Sequence, residues 1–370
     1  MEMKYRLWAC LLFLPMVLWA SGRPKVAVVL SGGGAKGTAH IGALKVIEEA
    51  GIPIDYVVGT SMGAIVGGLY SIGYTPQQLD SMVNAQNWKF LLSDAPNPKD
   101  VLLDDRLKSE RYVLSIPFSL KSAAVSDAGI IKGKNLARLF STLTEGYQDS
   151  VDFSRLPIPF ACVSENLVNG SEVVFHEGIL ATSMRSSMSI PGVFAPVDLD
   201  GMVLVDGGMV NNYPVDVALA MGADYIIGVD VQSPLLKASE LKSVKDIFGQ
   251  IINLQGEKKY RENLRNTDVL IKVDVTGYSA ASFTKEAIDT LMVRGERAAM
   301  DSWDGLLALK RKLGLAEDYQ PRRPGPFRLP GAAVDREIPV DSQIAQHAGG
   351  SRHGKACCLR GAGRERPRRR

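Results

Sequence analysis

The sequence predicts an α/β fold in which a mostly parallel central sheet is flanked by helices, and three observations lead there. Short valine- and isoleucine-rich runs recur along the chain, helical periodicities follow them, and glycine-rich turns join strand to helix near the front. A continuous apolar run suits a strand covered on both faces, as in a parallel sheet lying between helices. Regular alternation of such strands with helices argues for a layered α/β domain.

The elements follow in order. Lys25 to Ser31 reads as the first strand and Gly32 to Gly37 as a turn. From Thr38 the residues Ala39, Ala43, Leu44, Val46, Ile47 and Ala50 recur at helical spacing, with Gly51 and Pro53 as stop signals. A second buried strand is expected over Ile54 to Val58, then a Gly-Thr-Ser-Met-Gly turn at Gly59 to Gly63 and a helix to about Ile72. Thr75-Pro76 reads as an N-cap followed by proline at the first helical position, starting a helix to about Gln86.

Between Phe90 and Ile130 the pattern loosens, with Pro96, Pro98, Asp104 and Asp105 suggesting a surface excursion that acts as a lid. Regularity returns with strands at Ile158 to Ser164, Glu172 to Phe175, Met202 to Val205 and Asp224 to Val229. Helices are expected at Ile179 to Met188 and Pro214 to Met221. Leu241 to Leu264 and Thr284 to Leu313 read as two long amphipathic helices separated by the strand Val269 to Val273, and the ordered body ends near Asp318.

Composition bounds the function. The chain has 370 residues, 46% of them hydrophobic and 22% charged, enough to bury a substantial core. Its net charge of +3 owes much to the last fifty residues, where eleven arginines face four acids, so the body is close to neutral or slightly acidic and carries no nucleic-acid footprint. Residues 1–22 offer Lys4 and Arg6, an apolar run from Leu7 to Trp19, and small residues at Ala20 to Gly22. That arrangement reads as a signal peptide, so export to the periplasm, the outer membrane or beyond is expected. Residues 319–370 combine proline, glycine and arginine without apolar period and read as a disordered or aberrant tail.

Cys10, Cys162, Cys357 and Cys358 form no disulfide framework, and Cys162 reads as a small core residue. His40, His176, His347 and His353 lack zinc-like spacing, so no metal and no other cofactor is expected.

Two glycine-rich turns carry the chemistry. Gly32-Gly33-Gly34-Ala35-Lys36-Gly37 lies between strand and helix, where backbone amides cradle an anion. A dinucleotide site would want an acid at the end of the second strand, but Asp55 stands at its beginning; a nucleotide loop would want Gly-Lys-Ser/Thr, but Ala35-Lys36-Gly37 stands here. An oxyanion hole remains, with Gly32 to Gly34 as the loop and the amides of Gly33 and Gly34 as its donors. Ser61, between Gly59 and Gly63, lies where a strand turns sharply into a helix, a position that exposes a nucleophile. No histidine is a convincing base: His40 reads as a packing residue. Asp206, ahead of Gly207 and Gly208, closes a strand at a position from which its carboxylate can project at the same sheet edge. Its ordinary pKa of about 3.9 makes it a weak base, so burial has to raise its proton affinity. Lys36 reads as a solvated charge with phosphate steering as a lesser option, and Met184 and Met188 as core.

Gly32 to Gly37, Gly59 to Gly63 and Asp206 to Gly208, in that order, resemble the motifs of the patatin-like phospholipase family over about Pro24 to Asp230. Ser189-Ile190-Pro191-Gly192-Val193-Phe194 and Met209-Val210-Asn211-Asn212-Tyr213-Pro214 are similar to stretches flanking that family's catalytic aspartate. One departure is Val163-Ser164-Glu165-Asn166-Leu167, where the family often shows Val-Ala-Thr-Asp-Leu. The resemblance implies a three-layer fold and a Ser61–Asp206 dyad, with Gly32, Gly33 and Gly34 as oxyanion hole and Gly37, Gly59, Gly63, Gly207 and Gly208 as motif support. It further implies action on ester bonds of phospholipids or related lipids at a membrane surface. Acyl transfer to another acceptor and a non-catalytic lipid-binding module remain as alternatives; a fluorophosphonate probe separates the last from an enzyme.

Overall fold

The computed structural model describes residues 23–96, 131–242, 244–322 and 325. The expected signal segment 1–22, the lid reading over Phe90 to Ile130 beyond residue 96, and nearly all of the tail after Arg322 lie outside the described residues. Strand β1 (Val26–Leu30) leads through a 3-10 turn (Gly34–Thr38) into helix α1 (Ala39–Glu49). Next come β2 (Tyr56–Thr60), α2 (Met62–Ser71), α3 (Pro76–Ala85) and the short α4 (Trp88–Leu91). Then follow α5 (Lys134–Leu143), β3 (Val151–Asp152), β4 (Phe160–Asn166), β5 (Ser171–Phe175) and β6 (Glu177–Gly178). Helix α6 (Leu180–Ser187), strands β7 (Val197–Leu199) and β8 (Met202–Asp206), and helices α7 (Gly208–Asn211) and α8 (Val215–Ala220) complete the middle. The chain continues through β9 (Tyr225–Asp230), α9 (Val244–Arg265), β10 (Val269–Lys272), α10 (Lys285–Asp301) and α11 (Trp303–Lys312).

The main sheet runs β10-β9-β1-β2-β4-β8-β7, with β5 also paired to β4. Strands β10, β9, β1, β2 and β4 are mutually parallel, β5 and β8 run antiparallel to β4, and β7 pairs antiparallel with β8. The mostly parallel α/β architecture expected from the sequence is the one observed. Its physical basis shows in β1, where every residue is buried. Val26, Val28 and Leu30 join the larger core with α1, α2 and α10, while Ala27 and Val29 join a second core with α8 and α9. A strand with helices on both faces has no polar side, so an unbroken apolar run is the pattern it requires.

Helix α10 packs closely on α1. A Cβ on Gly42 would fall 2.0 Å from Met292 O, and one on Gly295 would fall 1.9 Å from Ala39 O. Only paired glycines let these backbones approach so closely, so α10 is part of the body.

Some boundaries differ from the sequence reading. The second strand starts at Tyr56, not Ile54: Asp55 N–H donates to Val26 O at 2.8 Å, and its carboxylate accepts Val26 N–H and Arg23. That side-chain-locked turn precedes the ladder, and β2 then runs on through Gly59 and Thr60, paired to Cys162 and Val163. The expected helix over Thr284 to Leu313 is broken at Ser302, whose hydroxyl donates back to Ala298 O at 3.1 Å, a local bond that competes with helical continuation. At α3, Thr75 and Gln78 form the reciprocal capping box that, with Pro76, sets the helix start.

Candidate active site

Strand pairing explains why two residues far apart in sequence meet. One edge of β4 pairs with β5; the opposite edge pairs first with β2, up to Thr60–Val163, and then with β8, beginning at Asp206–Ser164. Parallel β2 and antiparallel β8 therefore end head to head against adjacent residues of β4. The residue following Thr60 is Ser61, and it emerges at the gap where β8 delivers Asp206.

Ser61 has φ 56° and ψ −122°, a left-handed backbone that a residue with a side chain adopts only when its surroundings enforce it. Its N–H donates to Ser187 Oγ at 2.9 Å, and that hydroxyl donates onward to Val163 O at 2.6 Å. Its carbonyl accepts the first helical bonds of α2, from Ala64 and Ile65. Gly63 lets the turn close on β1: a Cβ there would fall 2.2 Å from Leu30 O. Gly37 brings the first strand–helix turn against Met62, and Gly59, the residue before the last of β2, lies against the backbone of Gly63.

Ser61 Oγ donates to Asp206 Oδ2 at 2.7 Å. The other carboxylate oxygen accepts Gly208 N–H at 2.8 Å, and Asp206 N–H donates to Ser189 O at 3.0 Å. Gly207 passes over Val163 O, which a Cβ would meet at 2.3 Å. Asp206 is 7% exposed, and burial raises its pKa to about 6. The bonds from Ser61 and Gly208 oppose that rise and the nearby Glu165 carboxyl adds to it. Glu165 is itself buried, its Oε2 has no hydrogen-bond partner among the described residues, and burial raises its pKa too.

Ser61 and Asp206 open into a cavity of about 350 Å³ lined also by Gly32, Gly33, Gly34, Lys36, Pro191 and Gln250. The glycine loop divides by role. Gly32 N–H is already donated to Asn212 O at 3.1 Å, whereas the amides of Gly33 and Gly34 carry no hydrogen bond among the described residues. Gly32 instead provides clearance, since a Cβ there would fall 3.1 Å from Ser61 Cβ. Lys36 departs from the solvated charge expected: it faces the cavity and donates to Ser233 Oγ at 3.0 Å. Burial, with help from Lys272 and against Asp230, lowers its pKa to about 8.

The family model of the patatin-like phospholipases matches residues 28–219, just over half of the chain. The chain belongs to the patatin-like phospholipase family. An uncharacterized NTE family protein of Mycobacterium tuberculosis is 32% identical over 211 residues, covering 57% of this chain and 50% of that protein. The human patatin-like phospholipase domain-containing protein 6 is 32% identical over 210 residues, covering 56% of this chain and 13% of that protein. The lysophospholipase NTE1 of Mycosarcoma maydis is 27% identical over 306 residues, covering 76% of this chain and 15% of that protein. The aligned region thus spans half or less of these curated relatives. Among solved structures, human GIVD cytosolic phospholipase A2 has a TM-score of 0.45 at 13% identity, covering 78% of this chain and 60% of that one.

In this patatin-like chain, sequence reasoning missed several residues that support the Ser61–Asp206 pair. Ser187 holds the elbow, and the only sequence signal is a serine-rich stretch at Ser186 to Ser189. Behind α7, Asn211 donates to Glu172 and Asp216 at 2.8 Å each. Asn263 of α9 donates to Tyr213 O, Asp216 and Asn211, and Lys259 pairs with Glu172 and Asp216. Asn263 and Lys259 lie beyond the residues that the family model matches. His40 is fully buried with Nε2 on Ser31 O at 2.8 Å, and burial lowers its pKa to about 4, in keeping with a packing role. Cys162, Met184 and Met188 are buried in the core. Among the described residues no cluster of three histidines, cysteines or carboxylates is placed to hold a metal ion.

Proposed function

We propose that this chain is a serine lipid acyl hydrolase that cleaves carboxylic ester bonds of phospholipids or related lipids. The observation that carries the reading is the 2.7 Å hydrogen bond from Ser61 Oγ to a desolvated aspartate at the floor of an open cavity. Ser61 Oγ attacks the acyl carbonyl while Asp206 takes its proton, and the raised pKa brings the base closer to neutrality. The carbonyl oxygen becomes negative as the tetrahedral adduct forms, and the unengaged amides of Gly33 and Gly34 receive it. Asp206 then returns the proton to the departing alcohol, leaving an acyl group on Ser61. Water, deprotonated by Asp206, attacks the acyl carbonyl, and as the acyl–Oγ bond breaks Asp206 gives the proton back to Ser61 Oγ and the acid leaves. Lys36, cationic below about pH 8, faces the same cavity and suits a headgroup phosphate.

The test is covalent capture by a fluorophosphonate together with ester turnover. Ser61→Ala is expected to lose both, and Asp206→Asn to retain folding while turnover falls at least a hundredfold. Full turnover by Ser61→Ala would refute the assignment. The signal-like segment at residues 1–22 leads us also to propose export, and the resemblance leads us to propose action at a membrane surface.

A further inference from the structure

The solvent-facing stripe of α9 changes character along its length. Ile247, Ile251 and Leu254 follow one another at spacings of four and three, so they lie on one face of the helix. They are 50%, 52% and 51% exposed, three large aliphatics in one row. Singly exposed aliphatics are ordinary on a protein surface, but a contiguous row marks a contact face. Continuing the same spacing, the stripe passes through Lys258, Arg261 and Arg265, all exposed. Arg261 is paired to Glu257, and Glu262 is the exposed acid beside them. One helix face thus runs from aliphatic to cationic.

Its apolar end adjoins the catalytic mouth. Gly249 and Gln250, from the same turns of α9, line the cavity that holds Ser61. The loop that supplies Ile190 and Pro191 to that cavity continues to Val193, also 41% exposed. Among the described residues no helix is long and apolar enough to cross a membrane. A half-exposed stripe at a mouth suits a helix lying in an interface, aliphatics among acyl chains and cations at the phosphates.

We propose that this face of α9 docks the protein on an anionic lipid surface and delivers the cavity mouth to it. The inference rests on the lipid reading of the site, yet its test does not require turnover. The full chain carrying Ser61→Ala is sedimented with vesicles of phosphatidylcholine and phosphatidylglycerol in equal parts, and with phosphatidylcholine alone. Preferential, salt-sensitive binding to the anionic vesicles is expected. The triple change Ile247→Asn, Ile251→Asn, Leu254→Asn is expected to weaken that binding at least tenfold. With Ser61 restored, the triple variant is expected to keep hydrolysis of a soluble short-chain ester. Lys258→Gln with Arg265→Gln is expected to abolish the preference for anionic vesicles.

Three results would overturn the proposal. One is vesicle binding unchanged by the triple variant, or absent from the parent chain. Another is equal loss of soluble-ester turnover, which would make the stripe structural. The third is a light-scattering mass that falls from dimer to monomer in the triple variant, which would make the stripe a seam between copies.

Discussion

Thr60 Oγ1 donates a 2.8 Å hydrogen bond to the backbone carbonyl of Asn211, tying the residue before Ser61 to the short helix that follows Asp206. Both groups are buried, so the two strand ends are joined by more than the dyad itself. Thr60→Val keeps the side-chain shape but removes the donor and strands a buried carbonyl. We expect a stability loss of about 1–2 kcal/mol, read by denaturant unfolding. A fluorophosphonate labelling rate about tenfold lower is expected as the elbow and base lose register.

The pH profile follows from the base. Asp206 must be ionised to accept the Ser61 proton, so activity is expected to rise with pH through an apparent pKa near 6. The neighbouring Glu165 carboxyl contributes to the upward shift. Glu165→Gln keeps the volume and removes that charge, so the acid limb is expected to move to lower pH while the plateau changes less than about threefold. An acid limb that stays in place would show that Glu165 does not act on the base.

Stability is expected to run the other way. A carboxyl that binds its proton more tightly folded than unfolded penalises the fold once both states are ionised. The penalty is absent below about pH 4, grows between pH 4 and 6, and is complete above 6. On this arithmetic it is on the order of 2–3 kcal/mol. Asp206→Asn removes it, and the Ser61 hydroxyl can rotate to accept from the new amide while Oδ1 keeps Gly208 N–H. The variant is therefore expected to melt several degrees higher at pH 7.5, with the gain vanishing at pH 4.

Asn263 tests whether α9 belongs to the catalytic body. It donates to Tyr213 O at 2.7 Å, Asp216 Oδ1 at 3.0 Å and Asn211 Oδ1 at 3.2 Å, and is 2% exposed. Asn263→Leu leaves three acceptors short of a donor in a buried place. A loss of about 2–4 kcal/mol is expected by chemical denaturation. Turnover should fall further than the folded fraction, because Asn211 and the turn after Asp206 are released together.

How much of this was legible in the sequence depends on the range of the interactions. The strands that alternate with helices, the cap at Thr75 and the glycine turns are visible because each is written in neighbouring residues. Ser61 and Asp206 were legible as candidates because tight turns demand glycine beside them. Gly32 could not be separated from Gly33 and Gly34 in sequence; the distinction came from Asn212, whose carbonyl occupies the Gly32 amide. Lys36 reads as a solvated charge at a helix start, yet Ser233 from a distant segment accepts its hydrogen bond and Lys272 acts on its charge.

The chain by itself determined which residues form strands and turns, since burial on both faces and closure of a turn restrict side chains locally. Tertiary structure alone decided that β2 and β8 abut on one edge of β4, 145 residues apart at the Ser61–Asp206 bond. It also decided that Ser187 holds the elbow and that burial raises the proton affinity of Asp206. Strand order, desolvation and long-range hydrogen bonds depend on what surrounds a residue in space, and sequence neighbours carry no record of that.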